Sequence, residues 1–360
     1  MSAKHSQRRR QAARALRQRG LDCLIVTHPA NLFYLTGFTG ESGALVVERS
    51  AATLVTDGRF TAQAREEARG IGVVLQKGGL FPALGEWLRQ RGLRRIGFDP
   101  FQLSLAQWHA VRKAAGAKCR TIEAEGIPEG LRACKDTQEL AQMRKAAVVV
   151  GEVFESVLPL VRPGARESEL AAELEYQMRR RGASGPSFET IVASGKRSAL
   201  PHARPTARKL RKNELVVLDL GVILGHYCSD MTRTVYLGRA PRRIREWYQA
   251  VRRAQEAGVA AVEAGVTCGE VDSVVREVLK TAGLEKHFVH STGHGLGLEV
   301  HEKPRVARGQ QVRLQAGNVI TIEPGVYVEG VGGIRIEDDV VVRATGNEVL
   351  TRVKRDLIEI

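Results

Sequence analysis

The chemistry of this chain gathers in one stretch, VHSTGHGLGLEVHE, from Val289 to Glu302. His290, His294 and His301 fall close together there, interleaved with Gly293, Gly295 and Gly297. Neutral imidazole ligates metals and carries protons near neutral pH. Glycine lets a backbone approach a ligand closely. By itself the stretch could be a glycine-rich turn with incidental histidines. Carboxylates on either side of it argue for a site.

The β-rich runs Glu214–Leu224 and Tyr227–Tyr236 read as a hairpin turning near Leu224-Gly225. That register sets Asp219 opposite Asp230 on one face, where facing Cβ atoms lie about 5 Å apart. A second hairpin, Val319–Val328 with Gly333–Val342, turns through Glu329–Gly332 and sets Glu323 opposite Glu337. Pro324 and the glycines could bulge it by a residue. Like charges so placed repel, and Asp is a poor strand former. Asp219 and Glu323 also sit in apolar surroundings, VVLDLGV and VITIEPGV, where an unpaired charge is expensive. A cation resolves both problems. Carboxylate oxygens with one imidazole suit Mn²⁺, Fe²⁺, Co²⁺ or Zn²⁺. Four carboxylates exceed the need of one divalent ion, so two bridged ions are expected. Such a pair can hold a hydroxide and polarise a carbonyl, which is hydrolase chemistry.

Two further imidazoles, His301 and His202 (in SALPHARPT), could stabilise an oxyanion or move a proton; either could instead be a structural histidine. Strand alternation puts Arg335 on the face of Glu337, where it could orient a carboxylate or touch substrate. Tyr327 is expected to line the same face. His5, His28, His109, His226 and His287 have no such support.

These groups need elements to hold them. A chain of 360 residues has room for two domains and a sizeable core. Residues 1–130 alternate strands and helices, which predicts a compact α/β domain. Helices are expected at 7–19, 61–69, 81–91 and 104–115, and strands at 21–27, 44–48, 53–56, 72–76 and 95–98. His28-Pro29-Ala30-Asn31 reads as a turn. No phosphate loop is seen, since Gly37, Gly40 and Gly43 lack the strand–glycine–helix context. Residues 123–135 read as a linker. Residues 131–360 pair long helices (137–160, 167–181, 242–264 and 269–282) with β-hairpins, an α+β pattern. Thr267 and Glu270 make a capping box for the last helix.

Composition narrows the classes. No apolar run approaches the roughly 20 residues of a membrane helix, and the basic N-terminus lacks the apolar core of a secretory signal. Five cysteines with no CxxC suit reduced thiols in the cytoplasm. The net charge of +15 could attract polyanions. The arginine clusters fall on predicted helices without aromatic stacking platforms, so a solvated basic face is expected rather than nucleic-acid binding.

With these residues in place, the chain resembles the Xaa-Pro peptidases, prolidase and aminopeptidase P, of the pita-bread metallopeptidase superfamily. The motifs are LDLG (Asp219), SDMTRT (Asp230), GHGLGLEVHE (His294 and His301), TIEPGVY (Glu323) and GIRIEDD (Glu337); SFETIVASG and LPHARPT are similar too. YLTGFTGESG and LVTDGRF resemble the smaller N-terminal domain of these enzymes. The resemblance implies a creatinase/prolidase-like α/β domain, then a pita-bread catalytic domain carrying two Mn²⁺ ions. Asp219 would bind one metal and His294 the other, with Asp230 and Glu337 bridging and Glu323 a ligand that also handles protons. His202, His290 and His301 would line the substrate site. It further implies a homodimer acting on proline dipeptides or short Xaa-Pro peptides. Arg305, in HEKPRV, stands where some prolidases place a base that reads a dipeptide's free carboxylate, which favours dipeptidase over aminopeptidase P; it could equally be a surface arginine. Methionine aminopeptidases share the five ligands but not the His202 segment, creatinase lacks the full ligand set, and an inactive binding protein of this fold is expected to have lost ligands.

Overall fold

Caps written in the sequence set the helix starts. In the computed structural model, which describes residues 2–360, Ser104, Asp136 and Thr267 each form a reciprocal box with Gln107, Glu139 and Glu270. Each box satisfies backbone N–H groups that a helix start leaves bare. The chain divides into two units, the first ending at Arg132 and the second beginning at Ala133.

The first unit runs α1 (Ser2–Gln18), β1 (Cys23–Val26), α2 (Pro29–Thr36), β2 (Ala44–Glu48), β3 (Ala52–Thr56), α3 (Thr61–Glu67), β4 (Gly72–Leu75), α4 (Leu80–Gln90), β5 (Arg95–Phe98), α5 (Leu105–Ala115), β6 (Arg120–Glu123) and α6 (Ile127–Arg132). Its six-stranded sheet has the order β4-β3-β2-β1-β5-β6. The hairpin pairs are antiparallel, and the pairs joined through α3 and α5 are parallel. Leu84, Leu88 and Val111 pack on Ile25, Val46 and Ile96 to form its core.

Three expectations fail here. The turn at His28–Asn31 opens helix α2, with Pro29 at its first position, where a fixed φ and a missing N–H do no harm. The linker 123–135 contains α6. Arg8 and Arg9 are buried rather than solvated. Arg8 donates to the Tyr34 carbonyl at 3.2 Å and Arg9 to that of Leu35 at 2.7 Å, two of the carbonyls that the last turn of α2 leaves open.

The second unit begins with α7 (Thr137–Val157) and α8 (Glu167–Arg180), followed by β7 (Gly185–Pro186), β8 (Ile191–Ser194), β9 (Glu214–Leu220), β10 (Val222–Leu224), β11 (Tyr227–Cys228) and β12 (Met231–Leu237). Helices α9 (Arg242–Ala260) and α10 (Cys268–Thr281) come next. Then come β13 (Gly293–Gly295), β14 (Glu302–Val306), β15 (Val319–Ile322), β16 (Gly325–Val328), β17 (Gly332–Arg335), β18 (Asp338–Val342), β19 (Asn347–Val349) and β20 (Ile358–Glu359). One sheet has the order β20-β12-β9-β8 and another β14-β13-β15-β18-β19, with β16-β17 as a separate ribbon. Val150 and Phe154 of α7 and Leu174 of α8 pack on Leu218 and Val235. Val251 of α9 and Val275 of α10 pack on Ile334 and Ile336.

The first hairpin turns one residue later than expected. Gly225 and His226 both have positive φ, 54° and 74°, as a two-residue turn matched to strand twist requires. Asp219 therefore faces Thr232, not Asp230. The slip of two residues preserves the face, so Asp230 still lies on the side of Asp219. In the second hairpin Gly325 faces Arg335 and Ile322 faces Asp338, the register expected about Gly330. Its strands break at Glu323-Pro324 and Ile336-Glu337, where the expectation had them continuous.

Candidate metal centre

The two strand breaks lie at the carboxylates. Glu323 leaves its ladder and donates its N–H to the Thr292 carbonyl at 2.8 Å, while the N–H of Glu337 goes to the Thr232 carbonyl at 3.2 Å. Asp219 is the last residue but one of β9, and Asp230 sits between β11 and β12, held by its N–H on Asp339 Oδ2 at 3.1 Å. A cleft of about 710 Å³ brings together Asp219, Asp230, Glu323, Glu337, His202, His290, His294, His301, Arg305 and Arg335. Tyr327 stands behind this lining, bonded to both His290 and Arg335. Every candidate residue from the sequence is thus in or against one cleft.

The glycines of GHGLG let neighbouring strands come close. A Cβ on Gly293 would come within 1.8 Å of the Thr321 carbonyl oxygen, and one on Gly295 within 2.3 Å of that of Lys303. This close approach seats β13 between β14 and β15 and brings His294 beside Glu323.

Hydrogen bonds fix the imidazole tautomers. Nδ1 of His294 lies 3.0 Å from the Gly295 carbonyl oxygen, so it carries the proton and Nε2 offers a lone pair. Burial, then the neighbouring His301, lowers the His294 pKa to about 4. The ring is neutral, and its 3.5 and 3.7 Å approaches to Glu323 and Asp230 are not ion pairs. His290 is likewise lowered to about 4, by burial and then by Arg335. Its Nδ1 donates to the Ser291 carbonyl at 2.8 Å, so its Nε2 accepts from the Tyr327 hydroxyl at 2.9 Å. That hydroxyl in turn accepts from Arg335 at 2.6 Å, and Arg335 donates to Asp219 Oδ2 at 2.5 Å. Arg335 also donates to the Thr232 hydroxyl at 3.0 Å, which donates to Glu337 at 2.6 Å.

The carboxylates outnumber what the protein offers them. Burial raises Asp230 well above the usual carboxylate range, with Glu337 and Asp219 next in effect. Glu337 is raised by burial, then by Glu323 and Asp219. Glu323 is raised to about 8 by burial, against the pull of Arg335 and with Asp219 adding to the rise. Oδ1 of Asp219 and Oδ1 of Asp230 are buried with no hydrogen-bond partner. Native proteins rarely leave such atoms unpaired. Asp230, His294 and Glu337 each present one ligand atom within 4.8 Å of the others. Orphaned hard oxygens around one imidazole lone pair fit a divalent cation.

Sequence reasoning passed over the supports. Asp339 holds the backbone of Asp230, Thr232 bridges Arg335 and Glu337, and Thr321 accepts the His294 N–H at 3.1 Å. A second Asp after Glu337 in GIRIEDD was the one available signal. The threonines carried none, because a hydroxyl's partners lie far off in sequence.

Known proteins match the chain throughout. Residues 141–344 match the model of metallopeptidase family M24, and residues 8–134 match the creatinase/prolidase N-terminal domain. An Xaa-Pro dipeptidase of Pyrococcus furiosus is 34% identical over 342 residues, covering 95% of this chain and 96% of the relative. An Xaa-Pro dipeptidase structure from Bacillus anthracis superimposes with a TM-score of 0.96 at 35% identity, over 99% of this chain and 100% of that one. An X-Pro aminopeptidase structure from Thermotoga maritima gives a TM-score of 0.89 at 34% identity, over 96% and 100%. Among the described residues no helix is long and apolar enough to cross a membrane.

Proposed function

This chain belongs to metallopeptidase family M24, and from that premise we propose that it is a proline dipeptidase, hydrolysing the bond before proline in Xaa-Pro dipeptides. The supporting observation is the pair of orphaned carboxylate oxygens, on Asp219 and Asp230, in a cleft that also holds four histidines and Arg305. Asp219, Asp230, His294, Glu323 and Glu337 are the residues that would hold two divalent cations, Mn²⁺ foremost. When bound, such cations polarise a carbonyl and make water acidic enough to attack at neutral pH.

The remaining work falls to the chain's own side chains. Glu323 takes the proton of the attacking water and returns one to the departing proline nitrogen. His202 and His301 face the cleft as N–H donors for the oxyanion of the tetrahedral intermediate. His290, held by Tyr327, shapes the wall against the substrate. Arg335 orients Asp219 and leaves Asp219 Oδ1 for the cation. Arg305 binds the free carboxylate of the dipeptide, a charge-assisted contact that a longer peptide cannot make. The family resemblance also supports a cytoplasmic homodimer.

The test is hydrolysis of Met-Pro beside an Xaa-Pro-Xaa tripeptide, in metal-free protein with and without Mn²⁺, for wild type and Glu323→Gln. Mn²⁺-dependent cleavage of the dipeptide, lost in the variant, is expected. Preference for the tripeptide would move the assignment to aminopeptidase P. No cleavage of either by folded, metal-supplied protein would overturn the Xaa-Pro reading.

A further inference from the structure

Helix α10 carries a charged pair that faces the cleft wall rather than solvent. Asp272 is fully buried, and its two oxygens are divided between two tasks. Oδ1 accepts the Thr292 hydroxyl at 2.8 Å, and Oδ2 accepts Arg276 Nε at 2.7 Å. The other arms of the Arg276 guanidinium reach the 288–292 segment. One donates to the His290 carbonyl at 2.7 Å and the other to the Phe288 carbonyl at 3.3 Å. The guanidinium also lies over the Phe288 ring, 4.4 Å from its centroid. Segment 288–292 is irregular backbone, without a ladder of its own. Three of its polar groups, the Phe288 and His290 carbonyls and the Thr292 hydroxyl, are held by the helix beside it.

Both ends of this clamp reach the chemistry. The carbonyl that Arg276 holds belongs to His290, whose ring meets Tyr327. The threonine that Asp272 holds presents the carbonyl that takes the Glu323 N–H at 2.8 Å. A rigid helix thus fixes one wall imidazole and one acidic residue through a single ion pair. A lysine at position 276 is not equivalent, since its three donors share one nitrogen, whereas the guanidinium spreads its donors over three.

We propose that Asp272 and Arg276 are positioning residues, clamping the 288–292 segment so that His290 and Glu323 keep the geometry the reaction needs. Its activity arm rests on the Xaa-Pro reading; its structural arm does not. Misplacing a reacting group by about an ångström can cost on the order of a hundredfold in rate. A merely structural pair would affect only the folded fraction.

The test compares full-length Arg276→Gln, Thr292→Val and Thr292→Ser with wild type. Arg144→Gln is the control; it removes an ion pair with Glu348 of like geometry, 2.7 Å, outside the cleft lining. Expected for Arg276→Gln and Thr292→Val is a fall in kcat of about ten- to a hundredfold, with KM within about threefold, while Thr292→Ser, which keeps the hydroxyl, stays near wild type. Amide exchange in metal-free protein should quicken at 288–292 and at Glu323 by about tenfold in the same two variants, and not in the control. Unchanged kcat and exchange in Thr292→Val, or losses that track the melting temperature as in the control, overturn the proposal. Should Arg276→Gln fail to fold, the Val and Ser variants still decide. If wild type cleaves no Xaa-Pro peptide, the Xaa-Pro reading fails while the exchange arm still judges the clamp.

Discussion

Two buried groups of carboxylates in the second unit are treated in opposite ways. Glu167, at the start of α8, has no solvent exposure and accepts five hydrogen bonds. Ser194 gives its N–H and hydroxyl, Thr206 gives both of its own, and Arg197 gives Nε, at 2.7 to 3.2 Å. Burial alone would push its pKa up; the donors outweigh that and hold it below the usual value. Asp219 and Asp230 are also buried, yet each keeps an oxygen with no donor. A carboxylate that ties a segment together is filled by donors of the protein. Asp219 and Asp230, which we propose hold a cation, are each left with one oxygen free of such donors. Asp338 on β18 is filled in the same way as Glu167, accepting from Arg233, Thr351, Gln255 and Arg355.

The contrast can be broken by substitution. Glu323→Gln should lower kcat by about 10²–10⁴-fold, with metal-free stability little changed; steady-state kinetics and thermal melts read both. Glu167→Gln should act on stability instead. Breaking a buried, fully bonded charge costs about 3 kcal/mol, or roughly 6–12 °C in a unit of this size, while bound metal per chain stays at the wild-type value. Loss of metal from Glu167→Gln would erase the distinction. Chelation sharpens it further. Returning a divalent cation at 100 times its Kd should stabilise the wild type by about 2.7 kcal/mol, and Glu337→Gln should show little of that rise in calorimetry.

The smallest effects differ in sign. In metal-free protein Asp230→Asn should raise the melting temperature, because it removes a like charge from an unneutralised cluster, by on the order of 1 kcal/mol. Glu167 should work the other way with pH. Its folded pKa is depressed, so its contribution is present above the unfolded value of about 4.3 and is lost as pH falls through the lower folded one. The gap between wild type and Glu167→Gln should therefore close on acidification, and a gap that persisted would sink the account of that cradle.

The cradle also shows where the sequence could be read and where it could not. Carboxylates inside apolar runs were visible as anomalies, because Asp219 in VVLDLGV and Glu323 in VITIEPGV are expensive to bury unpaired. Glu167 sits in a polar helix start, so nothing in its neighbours marks it as buried. Its donors come from residues 194 to 206, at the end of β8 and in the segment that follows it. Asp272 and Arg276 look like one more helical ion pair until their partners on the 288–292 segment are seen.

By itself the sequence determined the periodicities that make the two units, the caps that start their helices, and the residue types that could bind cations. Those properties are local: they depend on side chains a few residues apart. It also set the shared face of Asp219 and Asp230, because strand alternation survives a two-residue slip. Only the tertiary structure decided that Gly225-His226 carries the turn, and that the second hairpin breaks at its glutamates. It also decided that Arg8 and Arg9 close a neighbouring helix. The strand breaks and the arginine contacts depend on satisfying a polar group with a partner remote in sequence, and the identity of that partner exists only once the chain has folded.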